Sequence, residues 1–214
     1  IDRPDLRFDM KLKEITDIAK DTDFKVFTAT VEKGGIVKGL CAPGGAKYSR
    51  RDIEKTLTDF VADYEAKGLA WLKVVKAEDS DELTLASSIA KFFSDEQKKA
   101  IIERFDANED DLILLVADKE SVANKALAPL RVKLGADLNL YKKDDLEFVW
   151  IVDFPLFEFN EDEGRYDSLH HPFTAPTEED LEKLDTDPAN INSQAYDLVV
   201  NGSEVGGGSV RIHN

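Results

Sequence analysis

Segments of helical spacing and short runs of strand-forming residues follow one another along this 214-residue chain in no regular βαβ rhythm. That irregular order is the strongest constraint on its fold, because a doubly wound parallel sheet needs the rhythm and an α+β domain does not. After Ser49, a helix-capping residue, Ile53, Leu57, Phe60, Val61 and Tyr64 recur at the 3.6-residue period up to Gly68, which is read as its stop. Ser94 and Gln97 form a capping-box pattern ahead of Ile101, Ile102 and Phe105. A third helix is expected from about Ser121, with Leu127, Leu130 and Leu134 facing a core and Gly135 as a left-handed cap. Between them, residues 69–75 and 112–117 read as buried strands, and residues 83–93 fit either a strand or a helix. Residues 24–40 place β-branched and aromatic residues on both sides of Gly34-Gly35 and predict a hairpin, while Phe8 and Met10 predict a short strand after a charged, proline-containing opening.

Composition narrows the function. The content is 42% hydrophobic and 34% charged, ordinary for a globular chain long enough to bury its own core. No stretch reaches the roughly 18 consecutive apolar residues of a membrane span, so no membrane association is expected. The formal net charge of −16 repels phosphate backbones, and this chain alone is expected to bind nucleic acid poorly. A single cysteine, Cys41, rules out an internal disulfide and points to a reducing, cytoplasmic compartment. Cys41 has no evident base partner and reads as a packed residue. Lys47, Arg50, Arg51 and Lys55 flank Gly44-Gly45, but the loop lacks the Gly-Lys-Ser/Thr ending of a phosphate cradle and reads as a solvated face.

Residues 148–214 are different in texture, with only three basic side chains against 14 acidic ones, which suggests a boundary near residue 147. They predict strands at the start, an acidic helix near residues 177–184, and closing strands at 195–200 and 209–212 joined by the glycine-rich segment between them. Three consecutive glycines, Gly206, Gly207 and Gly208, are costly in a sheet at about 0.5–1 kcal/mol each relative to alanine. Close approach of a flat ligand to bare backbone is one reason to keep them. Ser209 and Arg211 fall on one side of an extended segment, where a guanidinium clamps a carboxylate or phosphate, and Glu204 offers a ligand to a metal that bridges phosphates. The adjacent His170 and His171 point to opposite sides, so at most one of them faces a site. A surface hairpin with a glycine-rich bulge remains the plainer reading of the same stretch.

Phe154-Pro155-Leu156-Phe157-Glu158, His170-His171-Pro172-Phe173-Thr174 and the run from Asn201 through Glu204, Gly206-Gly207-Gly208 and Arg211 closely resemble the bacterial type of aspartyl-tRNA synthetase, in the right order. The resemblance implies an α+β chain made of a GAD-type insertion domain and part of a class II synthetase antiparallel catalytic sheet. Residues 1–19 are then a catalytic-domain flank, 20–120 the GAD domain, 121–147 a connecting helix and linker, and 148–214 a partial catalytic domain. It further implies activation of L-aspartate by ATP to aspartyl-adenylate and its transfer to tRNA, with ATP and Mg²⁺ required and a homodimer formed by the intact enzyme. By similarity Arg211 and His170 bind aspartate and Glu204 lies at ATP, through magnesium, with His171 and Gly206, Gly207 and Gly208 as lesser contributors. No residue is assigned covalent or acid–base catalysis, because the chemistry asks for positioning and charge neutralisation.

The family's anticodon-binding OB domain and its three class II signature motifs have no counterpart here. The chain also begins at Ile1, so it is read as a piece of a longer protein and expected to be inactive alone. A non-catalytic GAD module of a tRNA-dependent amidotransferase is the rival reading, and a metal hydrolase using His170 and Glu204 is a third.

Overall fold

A computed structural model of the chain describes residues 4–77 and 80–212. Among the described residues it divides into two compact units, residues 8–143 and residues 4–7 with 144–212. The opening Ile1, Asp2 and Arg3 and the final His213 and Asn214 lie outside the described residues. Among the described residues no helix is long and apolar enough to cross a membrane.

The unit of residues 8–143 is an antiparallel sheet with helices over both faces. Its elements run β1 (Lys13–Glu14), α1 (Thr16–Ala19), α2 (Lys25–Glu32), β2 (Ile36–Ala42), a π-helical turn (Asp52–Leu57) leading into α3 (Thr58–Ala62), β3 (Ala70–Lys76), β4 (Leu83–Ala86), α4 (Asp95–Phe105), β5 (Leu112–Asp118) and α5 (Glu120–Asp137). The strand order is β1-β2-β5-β3-β4. β5 lies at the centre, which explains its uninterrupted apolar run. Leu112, Leu114 and Val116 pack with Ile53, Leu57, Leu127, Leu130 and Leu134 on one face, while Ile113 and Leu115 pack with Phe27, Leu72, Val74, Ile101 and Phe105 on the other. The α+β expectation holds, and so do the strands at β3 and β5. The Ser94–Gln97 capping box closes as expected, with Ser94 Oγ accepting from the Gln97 amide at 3.2 Å and Gln97 Oε1 from the Ser94 amide at 2.8 Å. Residues 83–93 divide into β4 and a 3₁₀ turn (Ala90–Phe92).

Several expectations are corrected. Residues 24–40 form no hairpin: Phe24, Phe27 and Val31 share a helical face, and α2 buries Phe27 in the core. Gly34, at φ +79°, is its left-handed cap, with Gly34 N–H donating to Val31 O and Gly35 N–H to Thr30 O. A glycine pair serves a hairpin turn and a helix stop equally, and tertiary burial of Phe27 decides between them. Phe8 and Met10 are buried but belong to no strand; the Arg131 guanidinium holds their carbonyls at 2.7 Å. Ser49 does cap its helix, through its hydroxyl and the Asp52 amide, yet that helix stops at left-handed Glu65 (φ +71°), before Gly68. α5 runs past Gly135 to Asp137 and is capped by Asn139 at φ +53°, with Leu140 N–H donating back to Gly135 O. Gly135 is there for another reason, because a Cβ would stand 2.7 Å from the Phe8 ring.

The unit containing residues 144–212 holds a three-stranded antiparallel sheet, β10-β9-β6, and a separate hairpin. Its strands are β6 (Phe148–Ile151), β7 (Phe157–Asn160), β8 (Arg165–Ser168), β9 (Ala195–Val200) and β10 (Ser203–Ser209). The expected acidic helix is present as a 3₁₀ helix, Glu178–Lys183. The closing hairpin is also corrected: Val200 pairs with Ser203 across a two-residue turn of Asn201 and Gly202, both at positive φ, so the glycine triplet lies within β10 and not in a connection.

Candidate functional site

The expected site residues all lie in the unit of residues 144–212, and the strand register orders them. Across β9 and β10, Glu204 pairs with Val199, Gly207 with Asp197 and Ser209 with Ala195, so these six residues share one face. Gly206, opposite Leu198, and Gly208, opposite Tyr196, lie on the other face, with Trp150 of β6 against the Tyr196 ring. The register shifts between Glu204 and Gly206, a bulge that leaves Val205 without a partner in the ladder.

The three glycines have unequal reasons to be glycine. A Cβ on Gly206 would meet nothing within 4 Å. One on Gly207 would stand 2.0 Å from Asp197 Oδ1, and one on Gly208 would stand 2.9 Å from the Tyr196 hydroxyl. Neighbouring side chains of β9 therefore fold over the bare backbone at two of the three positions.

Beyond β10 the chain is stitched to the His-His-Pro segment. Ala175 N–H donates to Val210 O and Ile212 N–H to Phe173 O, both at 2.9 Å, and Thr174 and Arg211 form the bridge between them. The Thr174 hydroxyl, buried beneath this bridge, is 3.4 Å from Ser209 Oγ and accepts from Arg211 Nη1 at 3.4 Å. Ser209 and Arg211 thus reach the same atom, as their shared side of an extended segment requires. Thr174 and Asp197 were not singled out by sequence reasoning; Thr174 was visible within the His-His-Pro-Phe-Thr motif, whereas Asp197 emerges only from the register.

The two histidines part company. His170 packs edge-on to Phe154, with ring centroids 4.8 Å apart. His171 turns inward on its own segment, its Nδ1 accepting from the Phe173 amide at 3.1 Å and its carbonyl from the Thr174 amide at 2.8 Å. His171 shapes the turn that delivers Thr174.

A second layer of bonds fixes this floor. Gln194 N–H donates to Ala175 O, Val210 N–H to Gln194 O, and Gln194 Nε2 to Pro176 O. Asp180 anchors the stretch before it, accepting from Lys183 Nζ at 2.6 Å, the Asn192 amide at 2.9 Å and the Thr177 hydroxyl at 2.9 Å. The Lys183 ammonium, followed by those amide and hydroxyl donors, holds the Asp180 carboxyl down at about 2. Ser193 Oγ is buried with no hydrogen-bond partner among the described residues. No group of three or more His, Cys, Asp or Glu side chains that could hold a metal occurs among the described residues. The face therefore offers the Arg211 guanidinium beside Thr174 and Ser209 and the carboxylates of Asp197 and Glu204, groups that can pair with a ligand carrying charges of both signs.

In the Gly44-Gly45 loop of the other unit, an internal carboxylate takes up the Gly44 amide. Asp111 accepts from the Gly44 amide at 2.9 Å, from the Asn108 amide at 2.8 Å and from the Cys41 thiol at 3.7 Å.

The GAD domain family matches residues 27–127. Over 213 residues the chain is 50% identical to an aspartate–tRNA(Asp/Asn) ligase of Desulfatibacillum aliphaticivorans, and over 212 residues 51% identical to one of Anoxybacillus flavithermus. It is also 49% identical over 213 residues to an aspartate–tRNA ligase of Clostridium botulinum. These matches cover 99–100% of the chain and 35% of each relative, so it spans about a third of their length. An α+β chain with a GAD domain, it is similar along its whole length to about a third of the length of each of these aspartate–tRNA ligases.

Proposed function

We propose that this chain serves in an ATP-dependent ligase that activates L-aspartate as aspartyl-adenylate and transfers it to tRNA. The single observation that carries the reading is the Arg211–Thr174–Ser209 cluster at the end of the glycine strand, on the face shared with Glu204 and Gly207. Half identity to aspartate–tRNA ligases over the full chain, not the GAD domain alone, favours this reading over a GAD-bearing amidotransferase module.

In this reading residues 148–214 form part of the catalytic domain, with the GAD domain inserted before them. The Arg211 guanidinium pairs with the substrate's carboxylate, and Thr174 holds it in place. His170, supported by Phe154, contacts the amino acid, and His171 positions the segment. The adenylate lies against the sheet along the backbone of Gly206, Gly207 and Gly208. Glu204, on this face of β10, would offer a carboxylate to a magnesium arriving with ATP, which would supply charge neutralisation at the phosphates. The chain's own contribution is to orient a carboxylate oxygen toward the α-phosphate and to neutralise charge, which needs no covalent group from the protein. A cytoplasmic location and a homodimeric ligase belong to the same proposal.

Aspartate-dependent ATP–pyrophosphate exchange by the full-length ligase containing this sequence tests it. Arg211→Ala is expected to lose roughly 100-fold in kcat/KM for aspartate, about 3 kcal/mol, because a substrate carboxylate is left unpaired. The 214-residue chain by itself is expected to give no exchange above background. Unchanged aspartate kinetics in Arg211→Ala would remove the residue from the site.

A further inference from the structure

Within the unit of residues 8–143, two cavities run together. One, of about 350 Å³, is walled mainly by Phe24, Phe27, Trp71 and Leu115, with Glu54, which is paired with Arg50, also lining it. The other, of about 310 Å³, is bordered by Lys33, Lys67, Asp118 and Lys119. Val26, Lys67 and Ala117 contribute to both walls, which makes a single groove with an apolar end and a charged end.

The charged end carries both signs, and neither is fully satisfied. Asp118, the last residue of β5, is only 6% exposed. Its Oδ1 accepts from the Lys119 amide at 2.8 Å and lies 3.5 Å from Lys67 Nζ. Its Oδ2 is buried with no hydrogen-bond partner among the described residues. A buried carboxylate oxygen without a donor is costly, and Asp118 as a residue lines the second cavity, from which a donor reaches its carboxylate once the side chain turns. Lys33 and Lys119 are exposed at the same mouth, with no acidic partner among the described residues, although the chain as a whole carries a net charge of −16. An anion alone would meet Asp118 unfavourably, and a cation alone would meet the lysines unfavourably. A zwitterion with an apolar body satisfies all three parts of the groove.

We propose that this groove binds a free apolar α-amino acid. Its ammonium donates to Asp118, its carboxylate faces Lys33 and Lys119, and its side chain enters the pocket beside Phe24, Phe27 and Trp71. The site is separate from the aspartate site proposed above and stands or falls without it.

Trp71 reports on occupancy. The chain has two tryptophans, so a Trp150→Phe variant leaves Trp71 as the only one. Titration of that variant with L-leucine or L-phenylalanine is expected to change Trp71 fluorescence saturably. L-Leucinamide, which lacks the carboxylate, and N-acetyl-L-leucine, which lacks the ammonium, are each expected to bind at least about tenfold more weakly. Asp118→Asn should weaken L-leucine similarly, and so should the combined Lys33→Gln and Lys119→Gln change, whose exposed positions leave folding intact if the buried substitution does not. No saturable response to either amino acid overturns the proposal. So does equal affinity for leucine and leucinamide, or undiminished affinity in the lysine double variant.

Discussion

Gly207 lies directly opposite Asp197 in the β9–β10 ladder, and the carboxylate covers the place where a side chain would begin, 2.0 Å from an added Cβ. Gly207→Ala must therefore turn the half-buried Asp197 carboxylate away, with an expected cost of about 1 kcal/mol. Gly206→Ala, which meets open space, should change stability by less than about 0.5 kcal/mol. Urea unfolding measures both. In an Asp197→Ala background the cost of Gly207→Ala should largely vanish, and an equal cost in both backgrounds would show that Asp197 is not its cause.

Gly135→Ala is expected to destabilise the protein even though alanine is the better helix former by about 1 kcal/mol. The new methyl would press on the Phe8 ring at 2.7 Å inside α5. A net loss of about 1–3 kcal/mol in thermal or urea unfolding is the expected result, largely restored by pairing it with Phe8→Leu. A stabilised Gly135→Ala variant would show that the ring yields freely.

Asp180 ties acid stability to the floor beneath Arg211. Its folded value of about 2 lies below the ordinary 3.8, because Lys183 and the Asn192 and Thr177 donors favour the ionised carboxylate. A depressed acid stabilises the fold fully above its unfolded value, and that contribution disappears as pH falls through the folded value. The 3₁₀ helix and the Asn192 contact should therefore loosen between about pH 4 and pH 2, read from the Asn192 amide resonance. Asp180→Asn should already be weakened at neutral pH and flatter across that window. An unchanged acid profile in the variant would place the sensitivity elsewhere.

Cys41 should be chemically quiet in the native protein. Burial, then the negative charge of Asp111, pushes its thiol up to about 12, so the reactive thiolate is scarce near neutrality. Slow reaction with a disulfide reagent at pH 8, becoming complete on adding denaturant, is the expected behaviour. Full modification of the native protein within the mixing time would contradict it.

What the sequence determined by itself were features set by neighbours in the chain: the Ser94–Gln97 box, the Ser49 cap, the apolar run of β5 and the positioning of Leu127, Leu130 and Leu134. The motifs joining His170, Glu204 and Arg211 were legible in the same way, since the residue types and their order carry the resemblance. Tertiary structure decided the rest, because left-handed caps and hairpin turns make the same local demand on the backbone and only burial separates them. Thus Gly34 stops a helix that buries Phe27, Asn139 takes the cap expected of Gly135, and Gly135 makes room for Phe8 from far along the chain. The bond from Arg211 to Thr174 and the Asp197 carboxylate over Gly207 depend on register, which links residues distant in sequence and has no local signature.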